Sequence, residues 1–388
     1  MRIGILDIDT KKEKNGRGLH EKFPNIACGK IYGYHKMNGD EVFHPWNGQK
    51  VDRLYISTIF SWSRKLIERS LPHWETLADE ILIGGSGWDA YPGNVTKLPP
   101  EIELVDPNWS YELYGIDYGI GFTVRGCHVG CGFCMVWRKE GLKEYRVSPI
   151  EKLINPKSNH IVLLNNNSFA DVGFFEDVEE IRERKLTVNW NQANDITILT
   201  PKHAEAIASV DFRNFNRTEK TLHFAFDQMI KTKIIEKDEN SPTYNSLKYI
   251  PADMMKVHEL PDNKIKVSFD MMKVVPEKMR MLAEYGIRKR KLTFYTLIGY
   301  DTTMEEDLER FALLQQYDCN VYAMMFRDLT GKIGVDGRGK PQSAHVKPFR
   351  DWVNGKAFRN VPFKEFDRYR KAQQEADQMT IFDIEQAI

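Results

Sequence analysis

Residues 121–137 read GFTVRGCHVGCGFCMVW and place three cysteines in a short loop directly after an apolar strand signal. Cys127, Cys131 and Cys134 follow the spacing C-x3-C-x2-C, and the glycines between them allow three side chains to turn towards one point. Soft thiolate ligands favour iron-sulfur clusters or zinc. The stretch therefore predicts a metal centre at the carboxyl end of a strand.

From residue 120 onwards, strand and helix signals alternate for six rounds. Six strand-helix units predict a partial TIM-like (β/α)6 barrel over residues 116–345, and in such barrels the chemistry lies at the carboxyl ends of the strands. The predicted strands are 122–125, 160–164, 187–191, 221–226, 291–298 and 320–326, and the predicted helices between them include 174–185, 201–210, 276–285 and 304–317.

The first 115 residues show a similar alternation. Apolar runs at 2–8, 51–60 and 80–84 are separated by helical stretches at 25–37 and 64–78. This pattern predicts an α/β domain with an open, doubly wound, Rossmann-like parallel sheet over residues 1–115. Residues 346–388 are predicted to form a C-terminal helical extension.

One segment breaks the second alternation. Residues 231–270 are polar and rich in lysine, with prolines at 242, 251 and 261, and they are far longer than a βα loop needs. We interpret the segment as an insertion after the fourth barrel strand. It is either a tolerated surface excursion or a lid over the active-site face, where loops often contribute to function.

Composition limits the partners. The 388 residues include 55 Lys+Arg and 55 Asp+Glu, so no net charge draws the chain towards nucleic acid or an anionic membrane. No apolar run approaches the roughly 20 residues of a membrane span. Five cysteines, three of them clustered, do not form a disulfide framework and indicate the reducing cytoplasm.

The number of cysteines in the loop leaves two kinds of site open. Cubane clusters usually take four cysteine ligands, so three would leave one iron free to bind something else. A fourth thiolate from Cys28 or Cys319 would instead give a structural zinc site or a closed electron-transfer cluster. The second arrangement would make the chain a non-enzymatic iron-sulfur or zinc scaffold or electron-transfer protein.

The cysteine segment resembles the cluster loop of the radical S-adenosylmethionine superfamily, in which an aromatic residue, here Phe133, precedes the last cysteine. RGCHVGCGFC at 125–134 most resembles the branch whose N-terminal domain is related to cobalamin-binding domains. The likeness extends along the chain through VDRLYISTIFSWS, ILIGGSGWDAYP, HIVLLNNNSF, NWNQANDI, HFAFD and FYTLIGYDTT, which follow in the expected order.

The resemblance implies a 4Fe-4S cluster that binds S-adenosylmethionine at its open iron and cleaves it reductively to a 5'-deoxyadenosyl radical. This radical would take a hydrogen atom from a substrate that the sequence does not identify. An electron donor such as a flavodoxin or a ferredoxin is implied as a partner. The protein's part is to orient the cofactor and to exclude water.

Further residues are assigned through the same resemblance, although each is also explained as a cap or turn residue at a strand end. The second strand ends in three asparagines near the expected methionyl amino group, and the ends of the third and fourth strands suit ribose hydroxyls or the carboxylate. A glycine after the fifth strand matches a backbone contact to adenine. These residues are Asn165, Asn166, Asn167, Asn191, Gln192, Asn194, Asp227 and Gly299.

Cobalamin is not expected. Domains that bind it through a histidine have Asp-x-His-x-x-Gly after the first strand, whereas this chain has DIDTKKEKNGRGLH at 7–20, and His20 does not fit that motif. Methylthiotransferases need three further N-terminal cysteines, and only Cys28 lies there.

Overall fold

The computed structural model describes residues 1–9, 24–89, 96–171 and 173–385, with side chains described up to 376. It is a mixed α/β fold built on sheets of parallel strands. His20 lies outside the described residues. The N-terminal region, residues 1–115, contains β1 (Arg2–Asp7), α1 (Ile26–Met37), β2 (Glu41–Phe43), β3 (Val51–Ser57), α2 (Arg64–Trp74), β4 (Ala78–Gly84), α3 (Pro100–Glu103) and α4 (Trp109–Tyr114).

The sheet of the N-terminal region has the strand order β2-β1-β3-β4, and every pair is parallel. Helices cover both faces. Ile3 and Ile5 of β1 pack in one cluster with Ile31 of α1, whereas Leu54 of β3 packs in another with Ile67 of α2. A parallel sheet that is buried on both faces needs strands made of continuous apolar runs. The apolar runs in the sequence predict β1, β3 and β4 for this reason.

The chain then continues through the region that contains the cysteines. Its elements up to the insertion are β5 (Gly119–Gly121), β6 (Val124–Arg125), α5 (Val136–Glu140), β7 (Tyr145–Arg146), β8 (His160–Leu163), α6 (Phe174–Glu183), β9 (Thr187–Trp190), α7 (Pro201–Ala208), β10 (Asp211–Phe212) and β11 (Leu222–Ala225).

The remaining elements are β12 (Ile230–Glu236), α8 (Pro242–Asn245), β13 (Met255–Leu260), β14 (Lys264–Asp270), α9 (Met271–Glu284), β15 (Leu292–Ile298), α10 (Met304–Gln316), β16 (Asn320–Met325), α11 (Val346–Asn354) and α12 (Asp367–Glu385). Two parallel sheets have the orders β10-β9-β8-β5 and β11-β15-β16. A parallel bridge between Asn194 and Phe224 connects the segment after β9 to β11.

The first predicted strand of this region, at 122–125, is wrong in part. The strand that pairs parallel with β8 is β5, Gly119–Gly121, whereas Val124–Arg125 pairs antiparallel with β7. A Cβ atom on Gly119 would lie 2.3 Å from the Leu153 carbonyl oxygen, so this strand requires glycine. Glycine has low strand propensity, and for that reason the sequence pattern did not reveal β5.

The helix predicted at 276–285 begins earlier, at Met271, and Pro276 lies inside it. Burial of Met271, Val274 and Val275 in the main core stabilises the first turn of α9. The packing of these apolar side chains offsets the helical hydrogen bond that a proline inside a helix removes.

The insertion forms an antiparallel sheet in the order β12-β14-β13, here called the insertion sheet. Ile235, Val267 and Phe269 on its inner face belong to the same hydrophobic cluster as Val188 of β9 and Phe224 of β11. The insertion is therefore part of the packed core and not a surface excursion. Among the helices of the described ranges, none has the length and apolar character needed to span a membrane.

Candidate metal centre and the strand ends around it

The cysteine loop, residues 126–135, follows β6 and is closed by the antiparallel pairing of β6 with β7. The Cys127 amide donates to the Gly141 carbonyl at 3.2 Å, and the Cys134 amide donates to the Cys131 carbonyl at 2.9 Å. Gly126 and Gly130 have φ of +86° and +64°. These turns gather three partly buried, free thiols in one loop.

Burial dominates the ionisation of these thiols. It raises the pKa of Cys127 to about 12, with smaller contributions from Glu144 and from the other two cysteines. Burial also raises the pKa of Cys131 to about 11, although Lys231 opposes this shift. Each thiol would have to lose its proton on binding a metal, so binding releases protons.

Two glutamates fix the cysteine loop. Glu140 accepts from Arg125 at 2.7 Å and from the Gly126 amide at 3.0 Å. Glu144 accepts from the backbone amide of His128 at 3.0 Å and from its Nδ1 at 2.7 Å. Because two carboxylates hold residues 125–128, the first part of the loop has a defined shape.

Phe133 and Gly299, which were predicted as separate contacts, both lie beside Tyr300. The rings of Phe133 and Tyr300 are 5.3 Å apart in a T-shaped arrangement. A Cβ atom on Gly132 would lie 2.4 Å from the Tyr300 hydroxyl, so the loop needs glycine there. The Gly299 carbonyl accepts from Gln342 at 2.8 Å. The carboxyl end of β15 therefore covers one side of the cysteine loop.

The three predicted asparagines differ in what their amides contact. The Asn165 side chain accepts from the Thr123 amide at 2.8 Å and donates to the Thr123 hydroxyl at 2.9 Å. Asn166 donates to Glu140 at 2.7 Å. Asn167 accepts from the Asp195 amide at 3.3 Å, while its buried Nδ2 has no hydrogen-bond partner among the described residues. Asn165 thus holds the backbone before the cysteine loop, and Asn166 holds the Glu140 side chain that fixes it.

The predicted residues after β9 and β11 lie at neighbouring strand ends. Asn194 accepts from the Ser168 amide at 2.8 Å and is buried, whereas Gln192 is exposed. Asp227 accepts from the Leu297 amide at 2.8 Å. Burial raises the pKa of Asp227, although the Leu297 amide and Lys231 oppose the shift.

Sequence reasoning missed three charged residues between the cysteine loop and the strand ends. Asp195 is 3.2 Å from the ammonium group of Lys231 and also pairs with Lys233, and both lysines come from β12. Burial opposes ionisation of Asp195, but the two lysines hold its pKa well below the ordinary value. His128 of the cysteine loop lies 4.0 Å from the same carboxylate through Nε2. The insertion sheet thereby reaches the candidate metal centre.

A signal for these lysines was present but weak. Lys231, Lys233 and Ile235 alternate along the strand, which places them on one face, and Ile235 identifies that face as buried. Lysine is rarely buried without a partner, so the lysine-rich composition of the segment does not by itself indicate a buried strand.

The spacing between the candidate ligand side chains bears on which metal group they could hold. Within the described ranges, no three His, Cys, Asp or Glu side chains are grouped so that they could hold a metal ion. A single zinc ion requires its thiolate ligands to converge at about 2.3 Å from one point. The three thiols share one loop without such convergence.

Comparison of the chain with models of known protein families gives no match, and comparison with curated proteins gives none either. Function is therefore inferred from the residues of the site and their geometry.

Proposed function

We propose that the chain is a radical S-adenosylmethionine enzyme in which Cys127, Cys131 and Cys134 hold a 4Fe-4S cluster. The observation that carries the proposal is the placement of three free, partly buried thiols in one short loop whose backbone amides at Gly126 and His128 are held by Glu140 and Glu144. When bound, the cluster would supply the electron that cleaves S-adenosylmethionine to a 5'-deoxyadenosyl radical, which takes a hydrogen atom from the substrate.

The remaining cysteines favour an open cluster over a closed one. Cys28 is fully buried among Ile3, Ile5 and Ile31 of the N-terminal region. Cys319 is buried with its sulfur 3.4 Å from the sulfur of Met279. Because both thiols are enclosed in cores away from the cysteine loop, the donor set that fits a cluster has three members and leaves one iron position free.

The strand order supports the architecture that such enzymes would use. The parallel strands β5, β8 and β9 are followed, through the bridge between Asn194 and Phe224, by β11, β15 and β16. This sequence of six is consistent with a partial (β/α)6 barrel, and the parallel sheet of residues 1–115 is consistent with a Rossmann-like domain.

Around the cysteine loop, the available donors and acceptors suit different parts of S-adenosylmethionine. Nδ2 of Asn167 is a buried donor that has no hydrogen-bond partner among the described residues, and it suits a carboxylate oxygen. The Asp227 carboxylate and the Gln192 amide at the next strand ends suit hydroxyl groups. Asn165 and Asn194 act indirectly, because their amides hold neighbouring backbone, and Asn166 acts through the carboxylate of Glu140.

An aromatic face of the β11-β15-β16 sheet is the surface that we assign to the substrate. His223 stacks on Tyr295 at 5.4 Å, and Tyr295 meets Tyr322, which is 49% exposed. His223 donates from Nδ1 to the Trp190 carbonyl at 3.0 Å, so its Nε2 is the acceptor nitrogen while the ring is neutral. Burial lowers the pKa of His223, which favours that neutral form.

The decisive experiment is anaerobic reconstitution with iron and sulfide, followed by addition of S-adenosylmethionine. We expect a change in the electron paramagnetic resonance spectrum of the reduced cluster and formation of 5'-deoxyadenosine. A cluster whose spectrum ignores S-adenosylmethionine would contradict the proposal and support a closed electron-transfer or scaffold protein. In the cell a flavodoxin or a ferredoxin would supply the electron, and the five free cysteines suit the cytoplasm.

A further inference from the structure

Two buried cations share one carboxylate beside the cysteine loop. The ammonium group of Lys231 lies 3.2 Å from Oδ1 of Asp195. That of Lys233 pairs with Oδ2 and donates to the Thr197 hydroxyl at 2.6 Å. The side chains of Lys231, Lys233 and Asp195 are 12%, 0% and 3% exposed, so water screens this group of charges poorly.

The other charged side chains nearby do not balance the second lysine. Glu144 is paired with His128 at 2.7 Å. Asp227 interacts with Lys231, but its burial favours the neutral acid. Nε2 of His128 is buried and has no hydrogen-bond partner among the described residues. Burial lowers the pKa of Lys233, and the Asp195 carboxylate opposes this shift only in part, so Lys233 is the cation without a full counter-charge. A buried charge of this kind is costly, and an anion on the side of the cysteine loop would stabilise it.

The two lysines interact with thiols of the cysteine loop. Lys231 interacts electrostatically with Cys131, and Lys233 interacts with Cys127. A cluster held by three thiolates is net negative, and it gains a further negative charge when it accepts one electron. Net charge and local electrostatics are among the factors that set the reduction potential of such clusters.

We propose that Lys231 and Lys233 are positioning residues for the cluster, whose fixed positive charge balances the thiolates and raises the reduction potential. The insertion sheet thus controls how readily the enzyme is reduced. This inference rests on the proposed function, since it requires the cluster to bind.

The test is a redox titration of the reconstituted protein, monitored by electron paramagnetic resonance. We expect Lys231→Met to keep its iron and to favour the oxidised cluster about tenfold more than the unsubstituted protein, a shift of about 59 mV to more negative potential for one electron. Lys231→Arg keeps the charge and should retain the original potential. Lys266→Met, on the exposed face of the same sheet, is the matched control and should leave the potential unchanged.

Asp195→Asn provides the opposite sign, because it removes the negative charge and should move the potential to more positive values. Lys231→Gln removes the charge but keeps a polar side chain beside Asp195, and it repeats the test if Lys231→Met fails to fold. A second measurement uses the metal-free protein, in which Lys231→Met should lower the melting temperature less than Asp195→Asn does, because Asp195 keeps Lys233 as a partner after the first substitution, whereas the second leaves both lysines without a carboxylate.

The outcomes are distinguishable. Clusters that form in Lys231→Met and Asp195→Asn with unchanged potentials would overturn this inference and leave the proposed function intact. Failure of the unsubstituted chain to bind a cluster would overturn both.

Discussion

Asp9 and Asp195 are both buried carboxylates beyond the carboxyl ends of parallel strands, but different kinds of donor stabilise them. Asp9, 5% exposed, accepts from the Thr58 and Ser63 hydroxyls at 3.1 and 2.6 Å and from the Ile59 amide at 2.5 Å. Those donors belong to the loop after β3, the neighbouring strand. Asp195, 3% exposed, is paired with two lysines from a separate sheet.

The difference separates a structural carboxylate from one that prepares a site. Neutral hydroxyl and amide donors satisfy Asp9 and fix a loop, and they bring no charge of their own. Two ammonium groups share Asp195, and they interact electrostatically with the thiols of Cys131 and Cys127. The same position in a parallel sheet can therefore close a turn in one region and place positive charge beside the cysteine loop in the other.

The largest effect is expected at the cysteines. Replacing any one of Cys127, Cys131 or Cys134 with alanine should abolish the cluster, because two remaining thiolates cannot retain it. Iron and sulfide content after reconstitution measures this. Cys28→Ala, in the core of the N-terminal region, is the control and should bind as much iron per folded molecule as the unsubstituted chain. Equal loss of iron in Cys28→Ala would mean that the cluster is closed by a fourth thiolate.

The two aspartates can be compared directly. In the metal-free protein, Asp195→Asn should cost about 3–5 kcal/mol of unfolding free energy, because it leaves two buried lysines without a counter-charge. Asp9→Asn should cost about 1–3 kcal/mol, the range for a buried group left partly unsatisfied. Urea unfolding followed by circular dichroism measures both. A larger loss of unfolding free energy for Asp9→Asn than for Asp195→Asn would contradict the inference that Asp195 is the shared counter-charge of two buried lysines.

A third buried lysine tests how carbonyl groups compare with a carboxylate as partners. Lys278 donates to the Leu199 carbonyl at 2.6 Å and to the Tyr249 carbonyl at 3.1 Å, and burial lowers its pKa to about 8. The unfolded chain keeps this proton up to about pH 10.4. Between these values the unfolded state binds more protons, so stability should rise with pH by at most about 3 kcal/mol.

Lys278→Met should remove that rise. Because other groups also titrate above pH 8, the measured quantity is the difference between the two proteins in unfolding free energy across the interval from about pH 8 to 10. A difference that stays constant over the interval would show that Lys278 is not depressed in the folded protein.

The smallest effect is expected for cobalamin. Incubation with hydroxocobalamin followed by gel filtration should give a colourless protein peak, because the usual histidine ligand motif is missing from residues 7–20. A stoichiometric red protein peak would refute this prediction and assign the N-terminal sheet a ligand of its own.

The sequence predicted the parallel strands whose apolar runs are long, such as β3, β8 and β15, to within a few residues. It missed β2 and β10 because strands of two or three residues have no measurable periodicity. It misplaced β5 because close backbone packing requires glycine where a strand former is expected. The sequence pattern therefore predicts a strand where burial selects apolar residues. It fails where the close approach of another backbone segment requires glycine.

The site was predictable to the same extent. The spacing of the three cysteines identifies them as candidate ligands, and the alternation of strand and helix signals predicts which polar residues lie at strand ends. Lys231 and Lys233 could not be assigned, because only the pairing of β12 with β14 turns their side chains inward, and Asp195 acquires its importance from them. Their meeting depends on contacts between segments more than 30 residues apart.

The hydrophobic cluster that joins Val267 of β14 to Val188 of β9 makes the insertion and the main sheet one cooperative unit. Backbone amides of β12 and β14 should then exchange with solvent deuterium only through the same large opening that exposes β9. Such a segment does not swing open by itself, and its deletion would expose the core instead of unlocking the site.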